Sequence, residues 1–304
     1  MTVCVFIDGA AGTTGLEIAD RLAGRTDLSL LTLEDARRKD PAARREALND
    51  ADVAILCLPD DAAREAVALI DGTTRVIDAS SAHRTADGWT YGFPELGFEV
   101  ADARRVANPG CYPTGFLALV VPLLRAGLLP PDWPLTVNAV SGYSGGGKTL
   151  IERFDAAPDL AFRDYGFGLA HKHVPEMTVH AGLSHPPVFA PMVSRAYRGM
   201  IVEVPLPLVA LPARPSRRAI HDALAAFFAG WPLIHVHDEA PDELLMASGA
   251  APSDRLDLYV FTDAAETQAR LVATLDNLGK GAGGAAVQSL NLMAGLDPLA
   301  GLVL

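Results

Sequence analysis

Apolar residues arrive in two different rhythms along this chain, and the rhythm changes near residue 110. Over the first hundred residues, short and almost wholly apolar runs alternate with stretches whose apolar positions recur every three or four residues. Val3 to Ile7, Leu28 to Leu33, Val53 to Leu58 and the run starting at Arg75 to Ile77 are the short ones. Runs without polar alternation predict strands buried on both faces of a parallel sheet. Between them, Leu16, Ile18, Ala19 and Leu22, then Ala42 to Leu48, then Ala62 to Ile70 predict helices. Strands alternating with helices predict an α/β, doubly wound Rossmann domain.

Beyond residue 110 the pattern predicts more strands and fewer helices between them. Thr136 to Val140 and Val193 to Val204 read as strands, the second broken near Tyr197-Arg198-Gly199. Arg217 to Phe228 reads as an amphipathic helix, and Leu233 to Val236 and Leu256 to Thr262 as further strands. This implies a second, α+β domain with a mixed or antiparallel sheet. Gly279 to Gly284 precedes a last helical run, Ala285 to Leu296. The expected division is a cofactor domain over 1–110, completed by the C-terminal helix within 281–304, and a catalytic and oligomerisation domain over 111–280.

Length and charge narrow the function. A chain of 304 residues exceeds the usual size of one domain. With 25 Lys and Arg against 37 Asp and Glu, the net charge is −12, which argues against a nucleic-acid partner. Three cysteines, Cys4, Cys57 and Cys111, are too few and too odd for a disulfide framework. The chain enters a strand without a basic, apolar leader, and its longest apolar stretch, Phe116 to Leu124, is too short to span a membrane. A soluble, cytoplasmic protein is expected, with no membrane partner.

Gly9, Gly12 and Gly15 lie between the first predicted strand and the first predicted helix. Glycines there let the backbone turn tightly and approach a pyrophosphate, which the helix N-terminus stabilises. Thr13 and Thr14 add hydroxyls. The group that would bind a ribose hydroxyl is expected about 20 residues on, where Glu34 and Asp35 stand beside Arg37, Arg38 and Lys39. The basic cluster would neutralise a 2′-phosphate, which favours NADP over NAD; the plainer reading is a solvated helix start.

Candidate chemistry centres on Cys111, in Asn108-Pro-Gly-Cys-Tyr-Pro-Thr-Gly115. Pro and Gly predict a turn, with Thr114 as the cap of a helix from Gly115. A thiol at a helix N-terminus is favoured as thiolate, whereas a buried cysteine is commonly structural. With a nicotinamide cofactor, a thiolate implies attack on an acyl carbon and reduction of the thioester to an aldehyde. Acid/base candidates are His171 and His173, which would share a face in an extended segment, with Glu176 able to orient an imidazole. A metal held by His171, His173, His180 and His185 is the competing reading; without a cysteine pair or a carboxylate ligand, none is expected. Ser141 to Lys148 resembles a phosphate-binding turn with hydroxyls and free backbone N–H groups. Its letters fit a P-loop from Gly142 to Thr149, but no Walker-B partner accompanies it. Arg84, after the fourth strand, can pair with a carboxylate or phosphate.

Taken together, the segments Phe6 to Gly15, Asp78 to Arg84, Gly92 to Leu96, Asn108 to Gly115, Ser141 to Lys148, His171 to Glu176 and Asn277 to Gln288 resemble the N-acetyl-gamma-glutamyl-phosphate reductases of the shorter type, within the semialdehyde dehydrogenase superfamily. The resemblance implies NADPH-dependent reduction of N-acetyl-glutamyl 5-phosphate to the 5-semialdehyde with release of phosphate, in arginine biosynthesis, by a homo-oligomer (dimer or tetramer). It implies Cys111 as nucleophile and the His171/His173 pair as the acid/base region. Arg84, Ser141, Ser144 and Lys148 would handle the acyl phosphate and carboxylate, with Asn108, Gly142 and Tyr165 also binding the substrate. Pro59, Ser80 and Gly283 would join the glycine loop, Arg37 and Arg38 around NADP. Lys148 stands where arginine is also common, an exchange that keeps charge but loses bidentate geometry. Other readings from the residues are an aspartyl-phosphate reductase, a non-catalytic NADP-binding sensor, and a hydrolase using Cys111 and His173.

Overall fold

The computed structural model describes residues 2–34 and 36–304. The chain forms two compact units, one of residues 1–109 and 282–302, the other of 110–281 and 303–304.

The first unit alternates strand and helix: β1 (Val3–Asp8), α1 (Thr13–Leu22), β2 (Leu28–Leu31), α2 (Pro41–Asp50), β3 (Val53–Leu56), α3 (Asp60–Ala68), β4 (Arg75–Asp78), β5 (Thr90–Tyr91) and β6 (Arg105–Ala107). The strands form one six-stranded sheet in the order β2-β1-β3-β4-β6-β5, every pair parallel. The uninterrupted apolar runs follow from burial on both faces. Val5, Ile7, Val53, Ile55 and Ile77 point to a cluster with Ile18 and Leu22 of α1. Their neighbours Phe6, Ala54, Leu56 and Val76 point the other way, to Ala47 and Leu48 of α2 and Ala63 and Ala66 of α3. The C-terminal helix α8 (Gly284–Ala294) completes the first face with Ala286, Val287, Leu290 and Met293. A doubly wound sheet needs helices on both faces, and here the chain leaves this unit after residue 109 and returns at 282 to supply one.

The predicted strands β1 to β4 and helices α1 to α3 are present with ends shifted by a few residues. β5 and β6 have no counterpart in the sequence reading, being two and three residues long.

The second unit contains α4 (Cys111–Arg125), β7 (Thr136–Gly142), α5 (Gly147–Ala156), β8 (Phe162–Asp164), α6 (Val174–Ala181), β9 (Val188–Ser194), β10 (Met200–Leu206), α7 (Arg217–Phe227), β11 (Ile234–Val236), β12 (Leu256–Thr262) and β13 (Ala269–Leu275). Its seven strands order as β11-β12-β13-β10-β7-β9-β8, with parallel and antiparallel pairs, so the sheet is mixed as expected. Met200, Val202, Val204 and Leu206 alternate with half-exposed neighbours, as do Leu256, Leu258 and Val260. That period of two matches one covered face. The helix that covers it, α4, is buried all round from Tyr112 to Leu123, which explains a helix without an amphipathic stripe.

Two sequence expectations are corrected here. The run Val193 to Val204 is not one broken strand: β9 pairs parallel with one edge of β7 and β10 antiparallel with the other, and residues 195–199 carry the chain across. The helix expected from Gly115 begins at Cys111, with Gly110 as its N-cap in extended conformation. Pro113 falls in the first turn, where no intrahelical donor is lost. Thr114 is inside the helix and does not cap it; its hydroxyl donates back to Gly110 O at 3.0 Å.

Candidate functional site

In the first unit, the C-terminal ends of β1, β2 and β3 open onto a cavity of about 690 Å³. It lies where the strand order reverses, between β1 and β3, the crevice that open α/β sheets offer to ligands. Gly9, Ala10, Ala11 and Gly12 form one wall. Gly9 has φ +92°, and a Cβ there would fall 2.3 Å from Cys57 O, so only glycine fits. Gly12 N–H donates to Gly9 O at 3.0 Å, which closes the turn. Gly12 then N-caps α1 without any side chain over the helix end. A helix N-terminus left open beside a glycine turn is the chemistry a pyrophosphate requires. The residues present therefore fit a dinucleotide.

The basic cluster divides on inspection. Arg38 and Lys39 line the cavity. Arg37 does not; it lies 3.5 Å from Glu46, with both side chains exposed. Asp35 lies outside the described residues. The sequence reading missed Asp8 and Arg44, which line the same cavity: both Nε (3.1 Å) and Nη2 (2.8 Å) of Arg44 donate to Asp8 Oδ2. An aspartate ending the strand before the first glycine was the available signal. Pro59 N-caps α3, outside the cavity lining. Cys57 lines it, but burial, and then the carboxylates of Asp78 and Asp8, push its thiol up to about 12, so it stays protonated and unreactive.

Asp78, wholly buried at the end of β4, holds the following loop. Its carboxylate accepts from Ser80 N and Ser80 Oγ (2.9 and 2.7 Å) and lies 2.6 Å from His83 Nδ1. His83 stacks on Trp89 at 4.1 Å. Arg84 thereby reaches Asn108: its Nε donates to Asn108 O at 3.0 Å. Asn108 Nδ2 donates to Ala282 O, one residue before Gly283, while its buried Oδ1 has no partner among the described residues. Arg84, Asn108 and the start of the C-terminal helix are thus brought together, whereas Ser80 spends its hydroxyl on Asp78.

In the second unit, Cys111 is the first residue of α4 and is half-buried. Its approach to the 276–281 turn depends on Gly281, where a Cβ would fall 2.9 Å from Cys111 Cβ. The sequence grouped this glycine with the closing helix and did not connect it with the thiol. Glu176, buried in the first turn of α6, accepts from Gly110 N–H at 3.1 Å through Oε2. Its Oε1 lies 3.9 Å from His173 Nε2, within ion-pair range. One carboxylate therefore touches both the residue before the thiol and the imidazole. A buried carboxylate costs several kcal/mol unless partnered, and these two groups partner it.

His171 and His173 do not lie in an extended segment, as the sequence reading expected. They occupy a turn entering α6, with His173 as N-cap, and their rings meet edge to face at 4.8 Å. His173 N–H donates to His171 Nδ1 at 3.2 Å. That bond leaves the neutral His171 proton on Nε2, 3.4 Å from Tyr165 Oη. Tyr112, Tyr165 and Phe189 surround His171. Burial, first, raises both tyrosine hydroxyls above their ordinary range, and the Cys111 thiolate adds to it. Both therefore remain O–H donors near the nucleophile. Among the described residues no group of three His, Cys, Asp or Glu side chains is placed to hold a metal, and no helix is long and apolar enough to cross a membrane.

The turn after β7 differs from the expected phosphate cradle in one respect. Three of its N–H groups are not free: Gly142 donates to Gly199 O, Tyr143 to Ala196 O and Ser144 to Tyr197 O. The 195–199 crossover takes these three, so the first half of the turn is not a phosphate cradle despite its matching letters. Ser141 is buried, its hydroxyl donating to Gly142 O, and Ser144 Oγ accepts from Asn277 Nδ2. Lys148 points outward, its side chain 83% exposed and 3.9 Å from Glu152.

Family models described as "Semialdehyde dehydrogenase, dimerisation domain" and "Semialdehyde dehydrogenase, NAD binding domain" match residues 111–277 and 32–103. Among curated proteins, the chain is 49% identical over 317 aligned residues to the N-acetyl-gamma-glutamyl-phosphate reductase of Trichormus variabilis, covering 98% of each. It is 51% identical over 303 residues to that of Burkholderia ambifaria, covering 96% of each. It is also 51% identical to that of Rhizobium meliloti, covering 95% of this chain and 98% of the relative. Solved structures share the fold at low identity. Aspartate semialdehyde dehydrogenase II from Vibrio cholerae gives a TM-score of 0.68 at 18% identity, covering 96% of this chain and 98% of that one. The aspartate semialdehyde dehydrogenase with NADP from Candida albicans gives 0.66 at 15%, covering 97% and 99%.

Proposed function

This chain belongs to the semialdehyde dehydrogenase family and, within it, to the N-acetyl-gamma-glutamyl-phosphate reductases, and from that premise we propose that it reduces N-acetyl-L-glutamyl 5-phosphate to the 5-semialdehyde with release of phosphate, a step of arginine biosynthesis. The observation that carries the proposal is Cys111 at the first position of α4, joined through Glu176 to His173.

Cys111 Sγ attacks the acyl carbon, the bond from that carbon to the phosphate oxygen breaks, and phosphate leaves a thioester behind. The α4 N-terminus favours the thiolate over the thiol at both ends of this cycle. His173 takes the thiol proton at attack and returns it to the Cys111 sulfur when, after the hydride that the cofactor would supply has reduced the thioester carbon, the carbonyl re-forms and the carbon–sulfur bond breaks. Glu176 holds the imidazole and the Gly110 N–H together. Arg84 and Asn108 bind the substrate in the resemblance; here Arg84 Nε donates to Asn108 O, on a loop that Asp78 orders. Ser141, Gly142, Ser144 and Lys148 stand near the substrate in the resemblance; here Ser141 and Ser144 are buried and Lys148 is exposed.

The nicotinamide cofactor, when bound, supplies the hydride. The glycine turn of residues 9–15, with Thr13 and Thr14, would hold its pyrophosphate. Arg38 and Lys39 would hold a 2′-phosphate, which supports NADP. Arg38→Ala or Lys39→Ala should each raise the KM for NADP about 10-fold, the size of one charge-assisted hydrogen bond, with the KM for NAD nearly unchanged. Arg37→Ala should alter neither. A parallel loss toward NAD would remove the 2′-phosphate reading.

The exposed face of the second sheet carries Val140, Met192, Ile201, Tyr259 and Phe261, all half-buried. This supports assembly as a homo-oligomer, dimer or tetramer, through the unit whose family model is described as a dimerisation domain. Three free cysteines support a cytoplasmic setting. The decisive assay follows NADPH formation from N-acetylglutamate semialdehyde, NADP and phosphate, beside aspartate semialdehyde. A phosphate-dependent signal with the acetylated substrate is expected; its absence would sink the assignment.

A further inference from the structure

Arg163 lies in β8, the short edge strand that pairs antiparallel with β9. Among the described residues its guanidinium makes no hydrogen bond and no ion pair. It stacks on Tyr165, with Cζ 4.1 Å from the ring centroid. Nearby arginines of this unit are engaged: Arg198 Nη1 donates to Asp276 at 2.8 Å, and Arg195 donates to the carbonyls of Phe154, Ala157 and Leu160. A guanidinium laid on a ring is held in orientation while its N–H donors, which lie in its own plane, stay available.

The ring that carries Arg163 belongs to the nucleophile's surroundings. Tyr165 Oη is 3.4 Å from His171 Nε2, and His171 in turn meets His173 and Tyr112. The charges of Cys111 and Arg163 both bear on the Tyr165 hydroxyl, in opposite senses. An oriented cation therefore stands one tyrosine away from the acid/base pair. Resting on the reading of Cys111 as the acyl acceptor, we propose that Arg163 is the specificity-determining residue that binds the substrate's carboxylate through a bidentate pair.

The chemistry separates this anion from the phosphate. The phosphate is bonded to the acyl carbon that Cys111 attacks, so its place is at the thiol. In a five-carbon acyl chain the free carboxylate lies about 5 Å from the acyl carbon when extended, with carbon–carbon bonds near 1.5 Å. Arg163 stands 4.1 Å over the ring whose hydroxyl feels the Cys111 charge. A planar fork suits a carboxylate that stays bound through the cycle, while the leaving phosphate must be released.

The test compares wild type, Arg163→Met and Arg163→Lys in the NADPH-forming direction with two aldehydes, N-acetylglutamate semialdehyde and 4-acetamidobutanal, which is the same chain without the carboxylate. Arg163→Met should raise the KM for the carboxylated aldehyde about 10- to 100-fold, as expected for one charged hydrogen-bonded pair. The preference over 4-acetamidobutanal should fall by the same factor. KM values for phosphate and NADP should stay within about twofold, and Arg163→Lys should recover part of the preference. An unchanged preference overturns the proposal, as does a rise in the phosphate KM instead. Equal loss with both aldehydes would indicate a structural role and overturn it too. Wild-type enzyme without phosphate-dependent turnover of the acetylated aldehyde would instead overturn the underlying functional reading, and this proposal with it.

Discussion

Cys111→Ser should lower kcat by about 10⁴-fold or more while leaving NADP binding unchanged. The comparison is informative because serine keeps the volume and the place at the first position of α4, so the Glu176 contact to Gly110 N–H survives. What changes is the nucleophile. A serine hydroxyl is not ionised by a helix N-terminus to any useful degree, whereas a thiol is. Groups that act as one unit with their base lose nearly all of the rate when one member is removed. Cys57 provides the internal control. Burial, with Asp78 and Asp8, pushes its thiol up to about 12, so alkylation near neutral pH should mark Cys111 first and abolish activity in step. Mass spectrometry of the partly labelled protein reads this directly. Labelling of Cys57 ahead of Cys111, or a serine variant within tenfold of wild type, would remove the thioester mechanism.

Much of the first unit could be read from the sequence because its signals are local. A strand buried on both faces has to be apolar throughout, and the glycine turn after β1 has to be glycine because Cys57 O leaves no room for a Cβ. The return of α8 to this sheet could be anticipated only through the family resemblance, since nothing between residues 110 and 281 encodes it locally. The second unit was read less completely. β8, three residues long, has no counterpart in the sequence reading, and the crossover at 195–199 joins two strands that flank β7, a non-local fact that periodicity cannot express. Letters misled most at Gly142 to Thr149. A phosphate loop needs unpaired N–H groups, and whether they are unpaired depends on Ala196, Tyr197 and Gly199, more than 45 positions away.

The same limit applies to the site. Cys111 carries its own signal in the Pro-Gly turn, and Asp8 one at the end of β1, but Arg163, Gly281 and Arg44 carry none: an arginine in a three-residue strand, or a glycine among many, is marked only by its neighbours in space. Glu176 shows the difference well. Its spacing from His173 was legible as a three-residue step, while its second bond, to Gly110 N–H, spans 66 positions and turns an orienting residue into a link between nucleophile and base.

That link decides between the two histidines. His173→Asn should reduce kcat about 10²- to 10⁴-fold, the usual share of a general acid/base, and flatten its pH dependence, whereas His171→Asn should cost about tenfold or less. His171 Nδ1 accepts from the His173 backbone, so its remaining proton on Nε2 is directed at Tyr165. Taking up a second proton at Nδ1 would break that backbone bond, which makes His171 a poor shuttle and a good support. His173 faces the Glu176 carboxylate at 3.9 Å, and a carboxylate there stabilises the imidazolium at the moment it holds the thiol's proton. Glu176→Gln separates the two duties of this residue: the amide oxygen can still accept from Gly110 N–H, but the charge facing His173 is gone. Its kcat should fall with a displaced pH profile while the thermal midpoint changes little. Glu176→Ala, which also strands a buried N–H, should lose stability as well, by about 1–3 kcal/mol. Equal pH profiles for wild type and Glu176→Gln would reduce Glu176 to a structural tie, and a His171→Asn defect as deep as that of His173→Asn would move the proton transfer to the other ring.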